Sequence, residues 1–203
     1  MDTPVVSLQS HKITKNLKLL NIMNSYVFLA NGFEDIEAVA TIDILRRADF
    51  KVITVSITDN LYVESAHGIV MKADAPIDSV SVSSDDLLIL PGGMPGTTNL
   101  GNCGTLCDML LKHNDAKGWI AAICAAPSVL GKLGILKGHT ATCYPGFEGA
   151  LGCQYDSHSG VVVSDNIITA CGPGQAMNFA LVIVDTVSDD DGLMESVRDA
   201  MQF

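Results

Sequence analysis

From Tyr26 onward, short apolar runs alternate with longer segments that carry an apolar residue every third or fourth position. "YVFLA" (26–30), "LLILPGG" (87–93) and "WIAAI" (119–123) are compact apolar runs without polar alternation, which predicts strands buried on both faces. "KVITVSI" (51–57) is β-branched and strand-like, and "GIVMKA" (68–73) reads as an added strand or hairpin arm. "TATC" (140–143), "GVVVS" (160–164) and "NIITAC" (166–171) complete the strands, the last two forming a hairpin that turns at Asp165–Asn166. Between them, Ile36, Val39, Ala40 and Ile44 are expected to line the core side of a helix. Further helices are predicted near 98–113, after Cys124, around Met177, Ala180, Leu181 and Val184, and over "GLMESVRDAM" (192–201). Strands alternating with helices mean βαβ units around a parallel sheet covered on both faces. The predicted fold is α/β, a doubly wound parallel sheet sandwiched by helices.

Length and composition narrow this picture. A chain of 203 residues with 48% hydrophobic and 17% charged positions suits one well-buried core. Residues 1–22 stand apart, with Lys12, Lys15 and Lys18 against Asp2 in a chain whose net charge is −11. They read as a flexible N-terminal extension, leaving 23–203 as a single domain. The acidic balance disfavours nucleic acid and anionic membrane surfaces as partners. No apolar stretch is long enough to span a bilayer, so a soluble protein is expected.

The six cysteines form no C-x-x-C, and no secretory leader is recognisable, which predicts free thiols in a reducing, cytoplasmic setting. Cys103 and Cys107, spaced with Leu106 and Leu110, read as an apolar helix face. The five histidines make no compact ligand pattern, so no metal and no cofactor is assigned. His113, His139 and His158 read as surface or loop residues.

In open parallel sheets the chemistry gathers at the carboxyl ends of the strands. Three segments bring unusual residues there. "NGFEDIEA" (31–38) puts Glu34, Asp35 and Glu37 in a helix's first turn; Glu34 and Asp35 suit that end electrostatically. Glu37, a third of a turn beyond Ile36, is placed to lean into the crevice. "LPGGMPG" (90–96) exposes backbone amides in a tight turn. "AAICAAPSVL" (121–130) sets Cys124 in the strand–turn–helix context of a nucleophile elbow, with small Ala122 and Ala126 in the flanking glycine positions. Cys124 reads either as a nucleophile, its thiolate favoured by a helix N-terminus, or as an inert buried thiol. The amide of Ala125 with one from Gly92 or Gly93 would make an oxyanion pocket.

Taken in order and spacing, "ANGFEDIEAV", "LPGGMPG", "AAICAAPSVL", "TCYPGFE" and "GPGQAMNFAL" resemble the ThiJ/PfpI family. The branch is that of the Parkinson-disease-associated deglycase/glyoxalase and the bacterial YajL chaperone, and the resemblance covers residues 25–203. It implies a flavodoxin-like sandwich, related to class I glutamine amidotransferases, and a homodimer. It also implies a reactive cysteine touched by a glutamate, here Cys124 and Glu37, with Gly93 and Ala125 as surrounding amides. The activities implied are cofactor-free conversion of methylglyoxal or glyoxal to hydroxy acids, or removal of early glycation adducts. The alternative is oxidative-stress sensing with holdase chaperoning, and a third reading is a member without turnover. Tyr144 stands where some members carry a histidine near the thiol, and it is a poor general base near neutral pH. His67 replaces an arginine of some relatives, whereas Arg47 keeps its place; both are assigned to an anion-holding or dimer-edge role. Ala125 replaces the histidine of the protease-like branch, and the His-x-Glu pair of the amidotransferases is missing.

Overall fold

The structure, a computed structural model, describes residues 23–203; the extension expected over residues 1–22 lies outside the described residues. The chain starts with β1 (Asn24–Leu29), α1 (Asp35–Arg47) and β2 (Lys51–Ser56), then the short strands β3 (Tyr62–Glu64), β4 (Val70–Lys72) and β5 (Ala75–Pro76). It continues through β6 (Leu87–Leu90), α2 (Gly96–Asn102), α3 (Gly104–Asp115), β7 (Trp119–Ile123) and α4 (Pro127–Lys132). The last part holds β8 (Thr140–Ala141), β9 (Gln154–Tyr155), β10 (Val161–Ser164), β11 (Ile167–Ala170), α5 (Ala176–Val187) and α6 (Leu193–Ala200).

Seven strands form the main sheet in the order β10-β11-β7-β6-β1-β2-β5. All pair in parallel except β10, which runs antiparallel to β11 through the expected turn at Asp165–Asn166. Within this sheet β2-β1-β6-β7-β11 reproduces the 2-1-3-4-5 winding of flavodoxin-like sheets. Side chains alternate between two cores, as the period of two demands. Val27, Leu29, Ile89, Ala121, Ile123 and Ile168 pack under α1, α5 and α6. Tyr26, Phe28, Leu88, Leu90, Ile120 and Ile167 pack under α2, α3 and α4. The segment 68–73 supplies β4, which pairs antiparallel with β3 as a hairpin outside the main sheet.

Several expectations need correcting. The buried face of α1 is Glu37, Ala38, Thr41, Ile42, Ile44 and Leu45, whereas Ile36 and Val39 are 56% and 49% exposed. Apolar residues surround this helix, so their spacing alone left its orientation open. The helix expected near 98–113 is two helices, because Cys103 between them is extended at φ −81°, ψ 101°. Gly101 and Gly104, poor helix formers, flank that break. Leu106 and Leu110 are buried, but Cys103 and Cys107 are only half-buried. Met177 faces outward, and α5 instead buries Phe179, Ala180, Leu181, Ile183 and Val184. His113 is not a surface residue: it is buried, with Nε2 3.2 Å from the Trp119 carbonyl.

Candidate active site

Glu37 lies in the first turn of α1, Gly92 and Gly93 follow β6, and Cys124 follows β7. Strands β1, β6 and β7 are neighbours, so the three segments converge at the carboxyl edge where the winding of the sheet reverses. The loops are stitched to one another. The Glu34 amide donates to the Gly92 carbonyl at 2.9 Å, and the Gly96 amide to the Gly32 carbonyl at 3.2 Å. The Glu34 side chain caps α1 by accepting from the Glu37 amide at 2.7 Å, which fixes the first turn and therefore Glu37.

Cys124 has φ +63°, in the left-handed region, which costs a residue bearing a Cβ about 1–2 kcal/mol. Backbone bonds on both sides hold it there. Its amide donates to the Ala170 carbonyl at 2.9 Å, and its carbonyl accepts from the Tyr144 amide at 2.8 Å. Ala122, Ala125 and Ala126 are buried around it, and larger side chains would crowd this turn.

Glu37 is wholly buried. Its Oε2 accepts from the Gly92 amide at 2.8 Å, while Oε1 has no hydrogen bond of ordinary geometry among the described residues. The carboxyl faces the Cys124 thiol closely enough for each to govern the other's ionisation. Burial pushes Glu37 up to about 7 from its ordinary 4.5, against the Gly92 amide and the thiol, with the charge of Glu34 adding to the rise. Burial also pushes the Cys124 thiol up to about 12, the Glu37 carboxylate adds to that, and the amides of Ala125 and Gly93 oppose it. This reverses the expected thiolate bias. The helix behind Cys124 is only six residues long, and desolvation outweighs what it and the two amides supply. With Glu37 protonated the repulsion disappears, and its O–H can donate to sulfur. The two groups therefore titrate as one unit, with a proton that belongs to the pair.

The glycines have separate tasks. A Cβ on Gly92 would stand 2.7 Å from Cys124 Cβ and 2.8 Å from Glu37 Oε2, so only glycine lets the two approach. Its amide is committed to Glu37, which removes it from the oxyanion pair expected from sequence. The amides facing sulfur are those of Gly93 and Ala125. Gly93 has φ +90°, and a Cβ there would lie 2.5 Å from the Glu34 nitrogen and the Gly32 oxygen.

Tyr144 is brought to the elbow through its backbone, and its half-exposed ring lies over Gly172. Arg47 is not brought there. It lies ten residues beyond Glu37, about 15 Å along α1 at 1.5 Å per residue, and it pairs with Asp43 at 2.6 Å. His67 Nδ1 is 2.6 Å from Asp35 Oδ2, and Ser65 Oγ donates to Oδ1 of the same carboxylate. The hydrogen bond that His67 donates to Asp35, then the charge of Asp35, raise His67 above its usual 6.5. Glu34, Asp35 and His67 thus place ligand-type atoms within 4.8 Å of one another, a grouping that no local spacing announces. Sequence reasoning also missed the capping by Glu34 and the anchoring of Glu37 by Gly92; the paired glycines after β6 were the one available signal for the latter. Surface cavities among the described residues include ones of about 460, 400 and 110 Å³, and neither Cys124 nor Glu37 lines these.

A flavodoxin-like sheet with a cysteine elbow and a buried glutamate beside it defines the class of this protein. Residues 23–186 match the DJ-1/PfpI family, and the chain belongs to that family. DJ-1 homolog B of Arabidopsis thaliana is 38% identical over 170 residues, which is 82% of this chain. The chain spans only 39% of that relative's length. The glutathione-independent glyoxalase DJR-1.2 of Caenorhabditis elegans is 34% identical over 157 residues, 76% of this chain and 82% of that protein. Among solved structures, oxidized Toxoplasma gondii DJ-1 superposes with a TM-score of 0.83 at 32% identity, covering 89% of this chain and 98% of that one. Among the described residues, no helix is long and apolar enough to cross a membrane.

Proposed function

We propose that this protein is a cysteine-dependent, cofactor-free enzyme acting on small reactive carbonyls, with methylglyoxal as its test substrate. The observation that carries the reading is the wholly buried Glu37 carboxyl, poised near neutrality and facing the Cys124 thiol with one oxygen unpartnered. The name of the nematode relative supports the same class of chemistry.

Cys124 sulfur adds to the aldehyde carbon, and its proton passes through Glu37, giving a hemithioacetal. The Gly93 and Ala125 amides, already aimed at sulfur, stabilise the oxygen as it becomes anionic. Glu37 removes the proton from the former aldehyde carbon and returns it to the neighbouring carbonyl carbon through an enediol. The product at that stage is a thioester, and water hydrolyses it to lactate while restoring the thiol. Tyr144, at the rim, orients substrate rather than serving as a base.

The protein acts as a homodimer in this proposal. Exposed Ile36 and Val39 on α1 lie near exposed Ile69 and Val70 of the hairpin, because the Phe33–Ser65 bridge and the Asp35 network join those two elements. A second copy is the partner that this apolar face, with His67 at its edge, would bury. The experiment for the enzyme reading is glutathione-free methylglyoxal consumption with lactate detection, comparing wild type with Cys124→Ala. Lactate formed by wild type and lost in the variant is expected; equal rates for the two would remove Cys124 from the mechanism.

A further inference from the structure

The first turn of α1 is a capping box that has been opened. In the closed motif the N-cap side chain accepts from the third helical amide, and a glutamate at that third position reaches back to the N-cap amide. Half of this is present: Glu34 is the N-cap of α1, and its Oε2 accepts from the Glu37 amide at 2.7 Å. The returning half is replaced, because Gly92 stands between the two partners. The Glu34 amide donates to the Gly92 carbonyl at 2.9 Å, and the Gly92 amide donates to Glu37 Oε2 at 2.8 Å. Glu34, Glu37 and Gly92 thereby close one ring of hydrogen bonds that joins the loops after β1 and β6.

Opening the box has two consequences at sulfur. The Glu37 carboxyl is held off its own helix end and left facing the Cys124 thiol. The second consequence concerns the peptide unit between Gly92 and Gly93. Its C=O and N–H point in opposite directions, as in any planar trans unit. Tying the carbonyl to Glu34 therefore aims the Gly93 N–H away from Glu34, and this is the amide that faces sulfur. A carbonyl that accepts a bond also polarises its own unit and makes that N–H a stronger donor.

Capping alone does not call for glutamate. Ser, Thr, Asp and Asn are the favoured N-caps, all with shorter side chains. Glu34 instead sets a half-buried carboxylate beside the wholly buried carboxyl of Glu37, and a like charge opposes ionisation of its neighbour. Among the described residues, the titratable groups that bear on Glu37 are Cys124, from the turn after β7, and Glu34.

We propose that Glu34 is a positioning residue of this site: it holds Glu37 and the Gly93 amide around Cys124, and its charge keeps the Glu37 proton in place until a substrate draws on it. The inference rests on the reading of Cys124 and Glu37 as the reactive pair, and Glu34 acts through these neighbours.

The test uses the full chain, and its first arm needs no turnover. Carbon-13 NMR follows the Glu37 carboxyl through pH, its signal assigned by its loss in Glu37→Gln. Wild type should give a midpoint of about 7. Glu34→Gln keeps an acceptor for the Glu37 amide but removes the charge, and the midpoint should fall by about half a unit. A residue that merely capped the helix would leave it unmoved. Glu34→Ala also removes the acceptor, so its midpoint should fall further. Its kcat on methylglyoxal should drop about tenfold or more, with KM within about twofold of wild type. Glu34→Gln carries the test alone if Glu34→Ala fails to fold. A Glu37 midpoint unmoved in Glu34→Gln overturns the assignment even if wild type forms lactate. Midpoints that fall as expected, without any lactate from wild type, uphold the assignment and overturn the enzymatic reading instead.

Discussion

Replacing Glu37 by Gln should make the protein more stable at neutral pH while removing the proposed methylglyoxal turnover. Glutamine keeps an acceptor for the Gly92 amide at 2.8 Å and the shape of a side chain that is wholly buried. What it discards is ionisation. Glu37 titrates near 7 in the fold and near 4.5 in an ordinary setting. Below pH 4.5 it is protonated in both states and contributes no pH dependence. Between 4.5 and 7 the unfolded chain releases this proton while the native state keeps it, so stability falls as pH rises. Above 7 the loss levels off, because both states are then ionised. A difference of about 2.5 units at 1.36 kcal/mol each amounts to about 3 kcal/mol. Urea unfolding of wild type and Glu37→Gln at pH 5, 6, 7 and 8 follows the effect, since groups other than Glu37 and the coupled Cys124 cancel in the difference. The variant should gain on wild type progressively, reaching an advantage of up to about 3 kcal/mol at pH 8. Parallel stability curves would refute the claim that a buried, proton-retaining carboxyl occupies this position.

Gly92→Ala should cost about 2–3 kcal/mol through overpacking against Cys124 Cβ and Glu37 Oε2, seen as a lowered unfolding midpoint, and should reduce methylglyoxal turnover because the pair is pushed apart. Proton NMR titration of His67 should give a midpoint above 6.5 that returns towards 6.5 in Asp35→Asn; the stabilisation from this pair is present below 6.5 and fades as pH rises through the folded midpoint, and an unchanged midpoint in the variant would contradict the pairing. Ile36→Glu combined with Val39→Glu should shift sedimentation from dimer to monomer without unfolding the chain, since both side chains are about half exposed; a persistent dimer would place the interface elsewhere.

The alternation of strands and helices around a parallel sheet was legible because the main strands are short apolar runs separated by helical segments, whereas the flavodoxin-like winding was an expectation from the family resemblance. The cysteine elbow was legible for a related reason: a strand, a thiol, small residues and then Pro127 leave few conformations for that turn. The role of Glu37 was only half legible. Its neighbours Ile36 and Val39 supplied the stronger apolar signal, and the fold turns them outward while burying the acid. A buried charge in a helix's first turn resembles a dipole partner until the facing loop is known. That facing loop is what spacing cannot reveal. Gly92 and Glu37 are 55 positions apart, and the Asp35–Ser65–His67 network spans 30 or more, so each depends on the packing of loops after different strands.

The same electrostatics bear on which chemistry the pair serves. Peroxide sensing by a cysteine favours a thiolate that exists before the oxidant arrives. Here desolvation and the facing carboxylate both oppose a free-standing thiolate, so at neutral pH an ionised Cys124 requires Glu37 to hold the proton. A carbonyl substrate changes that balance as it reacts. Sulfur becomes neutral again on forming its bond to carbon, the negative charge moves to an oxygen, and the Gly93 and Ala125 amides stabilise it while Glu37 carries the proton. In the proposed carbonyl reaction the cost of burying one charge between an acid and a thiol is met only while a substrate accepts that charge.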